Sequence, residues 1–146
     1  MKKSFSNKPN GLLRTLDTQV NYFKSEKNIT AVYLFGSYAS GKATAGSDID
    51  LAVLFDGLDR EAANRHLDRY LVELSRILRK DMHLTVMNFA GEALLKQIFK
   101  KGKCLIVNDP KKLASFTMTA YSKIADFQYY HHQMQAGLVR RIMEGV

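Results

Sequence analysis

Apolar residues recur along this chain in two patterns, one with a helical period and one as short continuous runs. The first pattern is typical of amphipathic helices and the second of buried strands. Leu12, Leu16, Val20 and Phe23 follow the helical spacing, whereas the run TAVYLF is β-branched and aromatic and stops at a glycine. In chain order the patterns predict a helix over 12–23, strands over 30–35 and 48–55, a helix over 58–78, a strand over 82–87, a helix over 91–99, an edge strand over 104–107 and a helix over 111–144.

The last predicted helix carries an unusually long apolar stripe. Its members alternate at spacings of three and four residues: Leu113, Phe116, Ala120, Ile124, Phe127, His131, Met134, Leu138 and Ile142. A small sheet cannot cover the whole stripe. Its second half is therefore expected either to pack on another chain, as part of a homo- or hetero-oligomer, or to fold back over the protein's own sheet.

No linker, repeat or low-complexity stretch divides the chain, so the 146 residues are predicted to form a single domain over 1–146. Residues 1–10 are polar and are predicted to be a loose arm, and 111–146 form the C-terminal helix. No apolar run approaches the ~20 residues of a membrane span. The basic N-terminus lacks the apolar stretch of a secretory signal. We therefore expect a cytoplasmic protein without membrane contacts.

Composition restricts the partners and the chemistry. The net charge of +8 favours anionic partners such as nucleotides, nucleic acid or an acidic protein. Lysine and arginine are spread along the chain, however, so a solvated basic surface is the simpler interpretation and we do not expect a nucleic-acid partner from charge alone. The single Cys104 excludes an internal disulfide and a zinc cluster. Its place in the apolar run CLIV predicts a buried thiol.

A glycine-rich turn follows the first predicted strand. The strand ends at Gly36, and the residues over 36–47, GSYASGKATAGS, are small and polar. Gly36 lets a ligand approach the backbone closely. The N–H groups that follow it and the hydroxyl of Ser37 are donors suited to a phosphate. By itself such a turn is too common to predict a function.

Two aspartates open the next strand. Asp48 and Asp50 are separated by one residue, so the two-residue period of a strand places both carboxylates on one face. Ile49, Leu51 and Val53 then point to the other, buried face. Like charges this close repel unless a cation lies between them, and Mg²⁺ commonly takes one or two carboxylates plus substrate phosphates. The alternative is a turn or N-capping aspartate followed by an exposed strand aspartate.

A short loop joins these two features, so adjacent strands would bring a phosphate-binding turn and a metal site to one edge of the sheet. Phosphoryl and nucleotidyl transfer need this arrangement. The string GSYASGKATAGSDIDLAVLF over 36–55 resembles the signature of the polymerase-beta-like nucleotidyltransferase superfamily, in which a Gly-Ser turn precedes a strand with paired aspartates. It is particularly similar to the minimal MNT proteins, which pair with HEPN proteins as toxin–antitoxin systems. The order of elements agrees over 12–107.

The resemblance implies an α/β (α+β) fold, a mixed sheet of about four strands with helices packed on one side and a long C-terminal helix. It implies ATP as the substrate and Mg²⁺ as the cofactor, with Asp48 and Asp50 as catalytic metal ligands. The residues implied to hold the nucleotide or to shape its loop are Gly36, Ser37, Gly41, Lys42 and Ser47. For Lys42, a solvated loop lysine is an equally good interpretation.

The chain departs from this family at one position. The superfamily normally supplies a third carboxylate from the next core strand, and His83 stands at the expected place in KDMHLTVMN. Asp81 lies two residues earlier, on the same face if the strand extends that far. In one interpretation Asp81 supplies the missing oxygen, while His83 tunes the site or acts as a base. In the other, the site binds nucleotide but has lost much of its catalytic power.

The leading hypothesis is transfer of AMP to a tyrosine of a HEPN-type toxin, which would make the chain an antitoxin. The first alternative is a catalytically weakened nucleotide-binding antitoxin that neutralises its partner by contact. The second is transfer to a small molecule such as an aminoglycoside. Only about 36 residues follow the turn at Asn108–Pro110, which leaves little room for the additional helical domain that such enzymes usually carry.

Overall fold

The computed structural model describes residues 20–145. Residues 20–24 are helical and form the end of the helix predicted over 12–23. The start of that helix and the arm over 1–10 lie outside the described residues. The remaining elements, in chain order, are β1 (Ile29–Phe35), α1 (Ser37–Ser40), β2 (Ile49–Phe55), α2 (Arg60–Leu78), β3 (Met82–Val86), a 3-10 turn (Met87–Phe89), α3 (Glu92–Lys101), β4 (Lys103–Val107) and α4 (Pro110–Glu144).

The four strands form one mixed sheet in the order β3-β2-β1-β4, which confirms the predicted sheet. β1 is antiparallel to β2 and to β4, whereas β2 and β3 are parallel and are joined through α2. Phe35 at the end of β1 pairs with Asp50, and Asp50 pairs with His83 of β3. The end of β1 and the starts of β2 and β3 therefore meet at one edge of the sheet.

Helices cover both faces of this sheet, rather than one face as the resemblance implies. Ile49, Leu51 and Val53 face a core that α2 completes with Leu67 and Leu74. The alternate residues of the central strands face a second core, completed by α3 and α4. That second core contains Ala31, Phe35, Ala52, Leu54, Met87, Leu95, Ile98, Ala120 and Ile124. Because β1 and β2 are apolar on both faces, each face needs a helical cover.

Local sequence sets both ends of α2. Asp59 is the N-cap, and its carboxylate accepts a hydrogen bond from the Ala62 amide at 2.8 Å. The helix stops at Arg79, which adopts a left-handed conformation with φ 52° and donates its amide to the Ser75 carbonyl at 2.8 Å. The chain then enters β3 beside the start of β2.

The long helix α4 contacts the sheet through its first half only. Ala120 and Ile124 are buried, whereas all residues over 125–145 except Gly137 are exposed. The fold-back alternative therefore holds as far as Ile124, and the rest of the stripe is left uncovered by residues 20–145. No helix within these residues is both long enough and apolar enough to span a membrane.

Candidate active site

The backbone at Gly36 lies directly against the carboxylate of Asp50. Gly36 has φ 74° and ψ −153°, a conformation almost confined to glycine. A Cβ at this position would lie 2.2 Å from Oδ2 of Asp50. Glycine is thus required twice, for the backbone conformation and for the close approach. The sharp turn ends β1 and starts α1, whose Ala39 and Ser40 amides donate to the Gly36 carbonyl at 3.1 Å.

Asp48, Asp50 and His83 form one cluster at this edge. Asp48 precedes β2 and Asp50 lies within it, and the imidazole of His83 reaches both. Nε2 of His83 is 3.5 Å from Oδ2 of Asp48, and Nδ1 is 3.3 Å from Oδ1 of Asp50. Asp50 is the least exposed of the three side chains and His83 the most. The structure therefore brings the predicted aspartate pair together and places the histidine against it.

Asp81 occupies a different place from the one expected of a third carboxylate. It lies just before β3, and its backbone carbonyl accepts a hydrogen bond from the Ile49 amide at 3.0 Å. Among the described residues, the close carboxylate contacts of His83 involve Asp48 and Asp50, not Asp81. Asp81 instead lines a polar cleft of about 420 Å³ beside the cluster. The cleft is lined by Ala45, Gly46, Ser47, Asp48, Ser75, Arg79, Lys80 and Asp81.

The predicted phosphate-binding loop is short and locally braced. The Ser37 carbonyl accepts a hydrogen bond from the Lys42 amide at 3.0 Å, and Gly41 ends α1 in the left-handed region with φ 77°. Oγ of Ser47 accepts from the Thr44 amide at 2.8 Å, which closes a turn just before the aspartates. Gly41 and Ser47 therefore shape the loop, whereas the Lys42 side chain is exposed. Direct contacts of Ser37 and Lys42 with a nucleotide stay predictions.

Comparison with known proteins decides which family uses this arrangement. The family model described as polymerase beta, nucleotidyltransferase matches residues 18–111, which span the sheet, both aspartates and His83. The chain belongs to this nucleotidyltransferase family. No curated protein matches the chain significantly.

Solved structures narrow the likeness to one branch of the family, as the sequence predicts. A chain of a toxin–antitoxin complex with AMP-PNP is 27% identical, with a TM-score of 0.64, and the match covers 87% of this chain and 98% of that one. A complex of a tri-AMPylated HEPN toxin with an MNT antitoxin from Shewanella oneidensis gives 25% identity, a TM-score of 0.57, and coverage of 88% and 98%. A variant of the MntA–HpeT toxin–antitoxin complex gives 26% identity and a TM-score of 0.59, and the match covers 93% of this chain and 98% of that one. This nucleotidyltransferase is therefore similar to the MNT antitoxins of HEPN–MNT pairs.

The electrostatics of this nucleotidyltransferase site centre on Asp50. Burial raises the pKa of Asp50 above its usual value; the neighbouring His83 lowers it in part, and Asp48 raises it further. Burial makes ionisation of this carboxyl group unfavourable, so a cation placed beside it would stabilise its charged form strongly. The site is thus less stable as built than it would be with a positive ion.

We expect Asp50→Asn to stabilise the folded chain at neutral pH while removing a metal ligand. A raised pKa means that the native state binds the proton of Asp50 more tightly, so the contribution of Asp50 to stability is greatest below pH ~4 and falls as pH rises through the raised pKa. Asparagine does not ionise, so it removes this loss of stability with rising pH. The check is urea denaturation of both chains between pH 4 and 8. An Asp50→Asn variant that is less stable than the wild type across this range would contradict the assignment.

The donor set fits a cation that also uses substrate oxygens. Among residues 20–145, no group of three or more His, Cys, Asp or Glu side chains has the arrangement of a complete metal centre. Asp48 and Asp50 nevertheless place two hard oxygen donors on one face, and magnesium sites in phosphoryl-transfer enzymes often have only this much protein ligation. The two aspartates therefore fit Mg²⁺ that arrives with a triphosphate, and do not form a self-sufficient site.

Lys80 is a site residue that the sequence analysis missed. Its ammonium donates a hydrogen bond to the Ala45 carbonyl in the loop before Asp48. These two residues are 35 positions apart, and only Ala45 lies within the Gly-Ser to aspartate motif. No periodicity or spacing along the chain could have indicated the contact.

Proposed function

We propose that this nucleotidyltransferase is an ATP- and Mg²⁺-dependent adenylyltransferase of the cytoplasm that transfers AMP to a tyrosine of a HEPN-type toxin and thereby acts as its antitoxin. One observation carries the proposal: two carboxylates lie against the same histidine at a sheet edge, and one of them, Asp50, also lies against the glycine that opens the predicted phosphate-binding turn. A triphosphate on that turn would lie within reach of a cation on Asp48 and Asp50.

The relatives support the acceptor and the nucleotide. One is described as a complex with AMP-PNP, and another contains a HEPN toxin that carries AMP. In the MntA–HpeT variant, two aspartates separated by one residue are exchanged for glutamate. Asp48 and Asp50 have the same spacing. The chain also spans nearly the full length of these relatives, which favours a toxin acceptor over a small molecule.

In the proposed reaction a tyrosine oxygen of the partner bonds to the α-phosphorus of ATP. The bond from that phosphorus to the bridging oxygen breaks, pyrophosphate leaves with its electrons, and the phenolic proton passes to a base. Bound Mg²⁺ would supply neutralisation of the charge that develops on the phosphates. Asp48 and Asp50 would hold the ion, Gly36 and Ser37 would offer backbone and hydroxyl donors to the triphosphate, and His83 is the proposed proton acceptor.

The test is transfer of label. The chain is incubated with Mg²⁺, ATP labelled at the α-phosphorus, and the HEPN protein encoded beside it. Label is expected on the partner, at tyrosine, and is expected to disappear when EDTA removes the metal. Label that stays on free nucleotide in every mixture would contradict the proposal, and label on an aminoglycoside instead would favour the small-molecule alternative.

A second function, neutralisation by contact, is favoured by two observations. His83 stands where the resemblance implies a carboxylate, and the second half of α4 exposes several large apolar side chains. Its exposed apolar residues include Phe127, Tyr129, Tyr130, Met134, Leu138, Val139, Ile142 and Met143. An apolar surface of this extent is typical of a protein–protein interface. In this alternative, α4 docks on the toxin and masks it without chemistry.

Truncation after Asp126 separates the two functions. The deleted segment is almost wholly exposed, so we expect the melting temperature of the shortened chain to fall by no more than about 3 °C. Loss of toxin binding and of neutralisation is expected if α4 is the docking surface. Neutralisation that survives truncation but fails when Asp48 and Asp50 are replaced would instead make catalysis the sufficient explanation.

A further inference from the structure

Lys80 connects two parts of the candidate site, the loop before Asp48 and the helix α1. Its ammonium donates to the Ala45 carbonyl, near the middle of the loop over 42–48, and lies 5.9 Å from the centroid of the Tyr38 ring. Tyr38 is buried in α1, directly after the Gly-Ser turn. One side chain therefore contacts both the loop that ends at Asp48 and the helix that begins at the phosphate-binding turn.

Apart from Ala43, which packs against the core under α2, the loop over 42–48 has few other attachments. Its bonds between Thr44 and Ser47 are internal to the loop. Within residues 20–145, the hydrogen bond from Lys80 is the one that joins the interior of this loop, residues 43–47, to another element. Asp48 follows immediately and lies outside β2. The position of Asp48 therefore depends on how firmly the loop is held.

The turn before Lys80 directs its side chain toward the loop. Arg79 ends α2 in the left-handed conformation, which is uncommon for a residue other than glycine and persists only where the surroundings enforce it. Three residues later, at Met82, β3 begins, and the carbonyl of Asp81 accepts a hydrogen bond from the amide of Ile49. Lys80 is thus anchored at its backbone beside β2 while its flexible stem reaches across the cleft.

We propose that Lys80 is a positioning residue, which holds the loop over 42–48 so that Asp48 stays beside Asp50 when the metal and the nucleotide arrive. This inference rests on the proposed function, because it assigns Lys80 a part in the same site. Without the bond, the loop would have to be ordered at each binding event, and that loss of conformational freedom would weaken binding. Lys80 itself is only half-buried, so its role does not lie in the core.

The test compares two replacements of Lys80 with one control. Lys80→Met keeps the apolar stem of the side chain and removes the ammonium donor, whereas Lys80→Arg keeps a charged donor. Arg76→Met is the matched control, since Arg76 is exposed on α2 one turn earlier. Loop mobility is followed by the rate of tryptic cleavage after Lys42, and binding by the Kd of AMP-PNP with Mg²⁺.

We expect Lys80→Met to raise the cleavage rate and the Kd about fivefold each, as the loss of one hydrogen bond implies. Lys80→Arg should stay near the wild type, Arg76→Met should change neither value, and the melting temperature should be nearly constant. Unchanged cleavage and Kd in Lys80→Met would overturn the proposal. A higher Kd with an unchanged cleavage rate would also overturn the proposal, because Lys80 would then act on the nucleotide directly.

The two proposals fail in distinguishable ways. If even the wild-type chain binds no AMP-PNP and labels no partner, the proposed function is wrong. Cleavage after Lys42 needs no nucleotide, so it reports on the loop in either case. Faster cleavage of Lys80→Met would still support the loop contact, whereas equal cleavage rates would overturn it.

Discussion

Replacing Asp48 and Asp50 together by asparagine is expected to lower the rate of AMP transfer about a thousandfold or more. The reason is electrostatic: the amides are close in shape to the carboxylates but carry no charge, so the triphosphate loses the cation that the pair would hold. The measurement is label transferred to the partner under single-turnover conditions. Because asparagine adds no bulk and removes the like-charge pair, the fold should be retained.

The matched control for this experiment is Asp68→Asn. Asp68 is an exposed aspartate on α2, outside the cluster at the sheet edge. Its replacement should leave the rate within about twofold of the wild type. Transfer that persists in the double variant at more than about a tenth of the wild-type rate would show that these aspartates do not hold the catalytic metal.

The second large effect is expected from Gly36→Ala. An alanine at φ 74° is strained, and its Cβ would lie 2.2 Å from Oδ2 of Asp50. We expect the free energy of unfolding to fall by about 2 kcal/mol or more. The carboxylate must also move, and a displacement of about 1 Å at a catalytic group can cost about a hundredfold in rate. Urea denaturation and the transfer assay measure the two effects separately.

Gly46→Ala is the matched control for Gly36→Ala. Gly46 belongs to the same glycine-rich segment over 36–47, but its φ is not in the left-handed region, and an added Cβ meets nothing within 4 Å. Stability and transfer should therefore be close to those of the wild type. If Gly36→Ala behaved as mildly as Gly46→Ala, the close approach of the turn to Asp50 would not matter for function.

His83 stands where the resemblance to the superfamily implies a third carboxylate. Its ring nitrogens lie 3.5 Å and 3.3 Å from the two aspartates, at the side of the pair where β3 begins. A histidine there supplies a proton acceptor but not a third negative charge. The proposed enzyme would thus hold its metal with two carboxylates and the substrate itself. Neutralisation by contact remains the alternative if this ligation is too weak for transfer.

The site was predictable to the extent that its chemistry is local. The Gly-Ser turn and the aspartate pair lie within 15 residues of one another, and strand periodicity alone places both carboxylates on one face. The place of Asp81 was harder to predict, because it depended on where β3 begins. The strand starts one residue later, at Met82, and Asp81 lines the neighbouring cleft instead. Contacts such as Lys80 with Ala45 join distant residues and leave no pattern in the sequence.

Burial at the sheet edge also escaped prediction. The run CLIV predicts a buried Cys104, yet Cys104 is exposed. That prediction was wrong because β4 is an edge strand: within residues 20–145 it has β1 on one side and no strand on the other. The sequence predicts an edge strand at this place, but an apolar run does not indicate how much of each side chain the neighbouring elements cover.

The sequence by itself determined the elements, the family and the aspartate pair, because periodicity and turn chemistry act between residues a few positions apart. Only the tertiary structure decided that helices cover both faces, that Gly36 touches Asp50, that His83 lies against both aspartates, and that half of α4 stays uncovered. These features depend on strand order and on the packing of distant segments, which the pattern of single residues does not encode.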